Sequence, residues 1–189
     1  IYPDESRPPP GLLQVAREAG RTDFTRCVVF HSLSKRSNLP GLRSGFVAGD
    51  ADVLSRYFQY RTYEGCALGT HVQRASAAAW ADETHVVENR ALYRRKFEIL
   101  TPVLDKAFSF TAPDGGFYHW LDVSGDDRSF ALELFQAHNI TVLPGSFLSR
   151  EAHGLNPGQG YVRVAWVAGL EACLSAAQRM VEWTLAQRK

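Results

Sequence analysis

The chain has 189 residues, of which 45% are hydrophobic and 22% charged, and its formal net charge is +1. Such a composition allows one substantial core or two small ones and excludes the fibrous and disordered classes. Lys/Arg and Asp/Glu are mixed along the chain, so there is no basic stripe of the kind that binding a phosphate backbone requires, and nucleic acid is excluded as a direct partner. No apolar run approaches the roughly 18 residues of a membrane span. Cys27, Cys66 and Cys173 are odd in number and widely spaced, which predicts reduced thiols in a cytoplasmic protein rather than a disulfide framework or a CxxC metal site. Ile1 and Tyr2 have no initiator Met before them and residues 1–4 read like the end of a strand, so a truncated product is expected.

In chain order, Pro8-Pro9-Pro10-Gly11 leads into a short helix over 12–19, with Leu12, Val15, Ala16 and Ala19 on one face and Gly20 as its stop. The apolar run 27–30 predicts a strand buried on both faces of a mostly parallel sheet. A polar loop over 31–44 contains Pro40-Gly41, which predicts a type II turn, and a second short strand follows over 45–49. Helices are predicted over 51–64 and 70–82. Thr84 is placed to cap a third over about 86–106, in which Pro102 forces a kink or restart. Beyond it strands are predicted over 108–111, 117–123, 140–142 and 161–167, with a helix near 130–138 and a final amphipathic helix over about 170–187. The fold class is therefore α/β, with an α+β second part built on a largely antiparallel sheet. The domain boundary is expected near residue 84, giving domains 1–84 and 85–189.

The run His31-Ser32-Leu33-Ser34-Lys35-Arg36-Ser37-Asn38-Leu39-Pro40-Gly41-Leu42-Arg43-Ser44-Gly45 carries most of the chemistry. It combines Ser-x-Ser-Lys after a buried strand, a Pro-Gly turn, an Arg eight residues beyond the Lys, and a following strand. A lysine amine that must condense with an aldehyde and then shuttle protons needs positive neighbours and desolvation to lower its pKa. A hydroxyl and a forked guanidinium on the same loop suit a phosphate. This run resembles the cofactor-lysine signature of class I and II aminotransferases, the fold type I pyridoxal-phosphate enzymes. The resemblance implies that Lys35 carries pyridoxal 5'-phosphate as a Schiff base and acts as the catalytic group. It also places Ser32, Ser34 and Arg43 around the cofactor.

On the strand 161–167, alternation sends Arg163 to the same face as Ala165, and Val162, Val164 and Trp166 to the other. The resemblance assigns Arg163 to the α-carboxylate of the substrate, a planar anion that a guanidinium holds bidentately. The segment Pro113–Trp120 matches the family's Gly-Gly-x-aromatic stretch, with Phe117 expected in the core and His119 expected as a satisfied sheet histidine. Val142–Phe147 resembles the strand and Pro-Gly turn that border the active site. Tyr63 and Gly69-Thr70-His71 lie where relatives reach a neighbouring subunit, which implies a homodimer. The remaining histidines have no metal-ligand spacing, so no metal is expected.

The resemblance thus implies the latter part of the fold type I large domain followed by the small C-terminal domain, and ping-pong transfer of an amino group between an amino acid and a 2-oxo acid. Within the family, Arg36-Ser37-Asn38 tilts the resemblance toward bacterial succinyldiaminopimelate transaminases of lysine biosynthesis, acting on N-succinyl-diaminopimelate with 2-oxoglutarate and glutamate. The chain matches about half of a typical member. The family's phosphate loop, its ring-stacking aromatic and its pyridine-pairing Asp are expected before Ile1, so the isolated chain is expected to be inactive. Three alternatives stay open: another fold type I enzyme, such as a β-lyase or decarboxylase; the effector-binding domain of an aminotransferase-like transcription regulator; and a purely structural small-domain fragment with no ligand.

Overall fold

The computed structural model describes Tyr2, residues 5–65 and residues 67–188. Apart from Tyr2, the strand end expected at residues 1–4 lies outside the described residues, as does Cys66. The chain divides into two compact units, residues 4–90 and residues 91–189 with 1–3.

In the first unit the proline run gives way to α1 (Leu12–Glu18), which buries only Ala16. β1 (Val28–Ser32) and β2 (Gly45–Gly49) pair antiparallel, in a register that sets Val28 against Gly49 and Ser32 against Gly45. The expectation of a strand buried on both faces of a parallel sheet is corrected here. The connection returns to the end it left, which is the geometry of an antiparallel pair, and Phe30 in mid-strand is 72% exposed.

The connection holds a one-turn helix, α2 (Leu33–Arg36), and a 3-10 turn over Pro40–Leu42 with Pro40 in its first turn. No type II turn forms, because the positive φ that it would place on Gly41 falls instead on Arg43, at φ 50° and ψ 35°. α3 (Ala51–Arg61) is shorter than expected and is capped by Asp50, whose Oδ1 accepts from the N–H groups of Asp52 and Val53 at 2.9 and 3.1 Å. α4 (Thr70–Ala81) follows.

α5 (Thr84–Leu104) begins at Thr84 rather than after it: Asp82 Oδ1 accepts the Thr84 N–H at 2.9 Å, so the capping carboxylate lies two residues before the expected threonine. Pro102 sits inside the final turn, with no N–H for the carbonyl four residues back, and the helix nonetheless continues to Leu104. The second unit is built on a three-stranded antiparallel sheet in the order β3 (Tyr118–Asp122), β5 (Tyr161–Ala165), β4 (Leu143–Pro144). The strand expected over 108–111 reduces to a bridge between Ser109 and Asp122. The one expected over 140–142 is displaced: Ile140 and Val142 go into the core, and pairing with β5 begins at Leu143.

α6 (Asp127–His138) is capped by Asp126, and α7 (Leu170–Gln187) lays Cys173, Ala177, Met180 and Val181 on the sheet. Leu100, Leu104, Leu121, Leu134 and Val162 are fully buried in that core. Each contributes roughly 2 kcal/mol of apolar burial, which makes this packing the foundation on which β5 is held. Among the described residues, no helix is long and apolar enough to cross a membrane.

Candidate active site

In the first unit the lysine loop is a short path of strand, turn and strand. Ser32 ends β1 in extended conformation and caps α2, its Oγ accepting the Ser34 N–H at 3.1 Å. The same Oγ lies 3.0 Å from Ser34 Oγ and 3.2 Å from the Ser44 carbonyl oxygen. Lys35 is on the exposed side of α2. Arg43 is also exposed, and its Nη1 donates to the Pro40 carbonyl at 2.9 Å. Ser32 and Ser34 are therefore brought together, and Lys35 and Arg43 lie on the same connection.

Three contacts hold that loop down. Leu33 is fully buried and its N–H donates to the Ser44 carbonyl at 3.1 Å. Ser76 on α4 donates its hydroxyl to Ser44 Oγ at 2.8 Å, with both residues buried. Arg36 turns inward: its Nη1 donates to the Ala79 carbonyl at 2.8 Å, its Nη2 lies 3.4 Å from the carbonyls of Trp80 and Asp82, and Nη2 also pairs with the Glu83 carboxylate. Sequence reasoning misses this clamp, since there Arg36-Ser37-Asn38 only tilts the resemblance toward succinyldiaminopimelate transaminases. The structure turns Arg36 and Ser37 inward, as loop anchors. The partners of Arg36 at Ala79, Trp80, Asp82 and Glu83 lie 43 or more residues further along, beyond the reach of any local pattern.

In the second unit Arg163 stands on β5, opposite Trp120 and Leu143 on the neighbouring strands. Its guanidinium carbon lies 5.3 Å from the centre of the Tyr118 ring. Its Nε is buried and has no hydrogen-bond partner among the described residues. Val162, Val164 and Trp166 occupy the opposite, buried face, as alternation predicts.

Behind β5, Trp166 is fixed at three atoms. Its N–H donates to the Phe117 carbonyl at 3.0 Å, its carbonyl accepts from Lys96 Nζ at 2.7 Å, and its indole Nε1–H donates to His119 Nδ1 at 2.7 Å. His119 is 1% exposed and stacks on Phe97, with ring centres 4.5 Å apart. Burial pushes its pKa down to about 4, against a raising effect of the Asp105 carboxylate. It is the satisfied sheet histidine that the sequence reading expects. Phe117 is half-buried and packs on Tyr93 and Tyr118. After Pro144, Gly145 is closed in: a Cβ on it would lie 2.2 Å from the Gly158 carbonyl oxygen.

Tyr63 is 84% exposed, and Gly69 forms the N-terminal cap of α4, which begins Thr70-His71. Cys27 and Cys173 are free and buried, and burial pushes the Cys173 thiol up. Among the described residues, no group of three or more His, Cys, Asp or Glu side chains could hold a metal ion.

A sequence model of the family described as "Aminotransferase class I and II" matches residues 5–180. The chain is 35% identical over 175 residues to a Streptomyces rimosus protein, 4-dedimethylamino-4-oxo-anhydrotetracycline transaminase OxyQ, covering 92% of this chain and 46% of that one. Among solved structures, an aminotransferase from Neisseria meningitidis is 51% identical and superposes with a TM-score of 0.90 over 97% of this chain and 47% of that one. A Thermus thermophilus protein named "probable N-succinyldiaminopimelate aminotransferase" is 29% identical, with a TM-score of 0.74 over 85% of this chain and 43% of that one. The chain thus spans about half the length of the relatives it matches.

Proposed function

The chain belongs to the class I and II aminotransferases, a family of pyridoxal-phosphate enzymes, and from that premise we propose that the protein transfers an amino group between an amino acid and a 2-oxo acid, with Lys35 as the cofactor lysine. One observation carries the reading: an amine, two hydroxyls and a guanidinium sit on a single loop that is anchored at Leu33, Arg36 and Ser44. We further propose that residues 1–84 form the C-terminal part of the large cofactor-binding domain and residues 85–189 the small domain.

The donor set fits the cofactor. Ser32 and Ser34 place their hydroxyl oxygens 3.0 Å apart, and Arg43 holds Pro40 with one arm of its fork, leaving further N–H donors for a phosphate. Lys35 Nζ would hold the cofactor through its aldehyde, and the same amine would move a proton to and from the substrate α-carbon. The cofactor supplies the electron sink that stabilises charge at that carbon. Arg163 binds the substrate carboxylate through the terminal N–H groups of its guanidinium, a role supported by the resemblance of its strand to the family's Tyr-x-Arg segment.

The amino substrate we propose is N-succinyl-diaminopimelate, with 2-oxoglutarate and glutamate as the acceptor pair, in lysine biosynthesis. The support is the resemblance of the lysine loop and the similarity to the Thermus thermophilus protein. The name of the Streptomyces rimosus relative gives a different substrate, so the substrate needs its own assay. A homodimer is the proposed working form, supported by the exposed Tyr63 and Phe58. The cytoplasm is the proposed location, supported by two free buried thiols.

The test uses the full-length protein. Borohydride reduction in the presence of pyridoxal phosphate, followed by peptide mapping, is expected to label Lys35, and the label is lost in Lys35→Ala. Incubation with N-succinyl-diaminopimelate and 2-oxoglutarate is expected to yield glutamate without release of pyruvate, ammonia or carbon dioxide. Absence of the label in folded wild-type protein rejects the cofactor reading; a label without glutamate formation rejects only the substrate.

A further inference from the structure

We propose that Arg36 is the positioning residue for Lys35: its guanidinium, locked into the C-terminal end of α4, sets the direction in which the neighbouring lysine is presented. This rests on Lys35 being the cofactor lysine. α2 is a single turn of four residues, too short to hold its own geometry. Among the described residues, only Ser37 and Leu39 tie it back from the C-terminal side, their N–H groups donating to the Leu33 carbonyl at 3.0 and 3.2 Å.

Arg36 supplies what the turn lacks. The last carbonyls of a helix have no intrahelical partner and carry its negative dipole end, and the Arg36 fork meets two of them, at Ala79 and Trp80, and the carbonyl of Asp82 just past the helix end, with the Glu83 carboxylate beside them. Its carbon lies 5.0 Å from the centre of the Trp80 ring, and Nη1 is 3.1 Å from Ser37 Oγ. The Arg36 side chain is 9% exposed. Successive residues on a helix point about 100° apart. Pinning Arg36 against α4 therefore turns Lys35 to the exposed side of α2 and restricts rotation of the turn. A lysine could hold one of these carbonyls, but not the planar array.

The experiment compares full-length wild type with Arg36→Met, Arg36→Lys and Glu83→Gln by three readouts: amide hydrogen exchange along residues 33–39, borohydride trapping of pyridoxal phosphate at Lys35, and kcat and KM for transamination. With Arg36→Met, exchange at Ser37 and Leu39 is expected to rise at least tenfold while α3 stays protected. Trapping slows about tenfold, and kcat falls roughly 10- to 100-fold with KM within about threefold, as expected when a reacting group is misplaced. Arg36→Lys falls in between. If Arg36→Met does not fold, Arg36→Lys and Glu83→Gln carry the same readouts. Wild-type trapping and kcat in a variant with loosened exchange overturn the proposal, and so does a uniform rise in exchange across the first unit, which marks a stability role only. If wild type itself traps no cofactor at Lys35, the functional reading fails and this inference fails with it; normal trapping in both wild type and Arg36→Met overturns this inference alone.

Discussion

The indole of Trp166 donates its N–H to His119 Nδ1 at 2.7 Å, which requires His119 to be neutral, with its proton on Nε2. That proton faces Thr101 Oγ1 at 3.3 Å. The pairing ties the strand that carries Arg163 to the strand that follows the Gly-Gly segment. It also makes the second unit sensitive to acid.

His119 has a folded pKa of about 4 against an ordinary value of 6.5. Between these values the unfolded chain binds the proton and the folded chain does not, so stability rises with pH across this window. The contribution of the neutral ring is complete above 6.5 and is lost as pH falls through about 4, a change on the order of 3 kcal/mol. Urea unfolding followed by Trp fluorescence from pH 7 to pH 4 is expected to show this loss, and His119→Phe to flatten it. An equally steep profile in His119→Phe assigns the acid sensitivity elsewhere.

The close approach of β1 and β2 at the mouth of the lysine loop sets a second expectation. A Cβ at Gly45 would lie 2.4 Å from the His31 carbonyl oxygen and 3.2 Å from Ser32 Cα, both of them backbone atoms that cannot turn aside. Gly45→Ala is expected to cost about 1–3 kcal/mol, as overpacking does. It also pushes Ser32 away from the Ser44 carbonyl. At Gly41 a Cβ meets nothing within 4 Å, so Gly41→Ala is expected within about 0.5 kcal/mol of wild type. Equal urea midpoints for the two variants would contradict the geometry.

Ser44 and Ser76 form a buried pair with no other hydroxyl partner among the described residues. Ser76→Ala leaves the Ser44 hydroxyl unpaired and is expected to cost about 1–2 kcal/mol. Replacing both serines with alanine removes donor and acceptor together, and a double-mutant cycle is expected to show about 1 kcal/mol of coupling. Additive losses would mean that the pair does not act as one contact.

How much of this could be read from the sequence follows from the range of the interactions. Alternation along residues 161–167 placed Arg163 and Trp166 on opposite faces, because the period of a strand is a local property. The lysine loop was legible as a motif, and most helix ends fell within a few residues because Gly, Pro and Asp mark them. The Arg36 clamp, the Ser44–Ser76 pair and the Lys96–Trp166 bond join residues 43, 32 and 70 positions apart, and no pattern in a short window encodes them. The parallel-sheet expectation for β1 failed for a related reason: an apolar run specifies burial, whereas strand direction is set by the path of the connection.

Arg163 offers a separation of function from stability. Among the described residues its Nε is buried without a partner, a state that costs about 1–3 kcal/mol. The guanidinium recovers part of this over the Tyr118 ring, by about 0.5–1 kcal/mol. If the group is there to receive a carboxylate, Arg163→Met relieves more than it removes, and the ligand-free urea midpoint is expected to stay level or rise. The same substitution abolishes saturable binding of the amino acid. Arg163→Lys keeps the charge and loses the fork, so KM for the amino substrate is expected to rise about 10- to 100-fold, the loss of roughly 1.4–3 kcal/mol of a charge-assisted hydrogen bond. Trapping of the cofactor at Lys35 is expected to be unchanged in both variants. A fall of several kcal/mol in the stability of Arg163→Met, with KM unmoved in Arg163→Lys, would make Arg163 a structural residue of β5 and remove the carboxylate from the site.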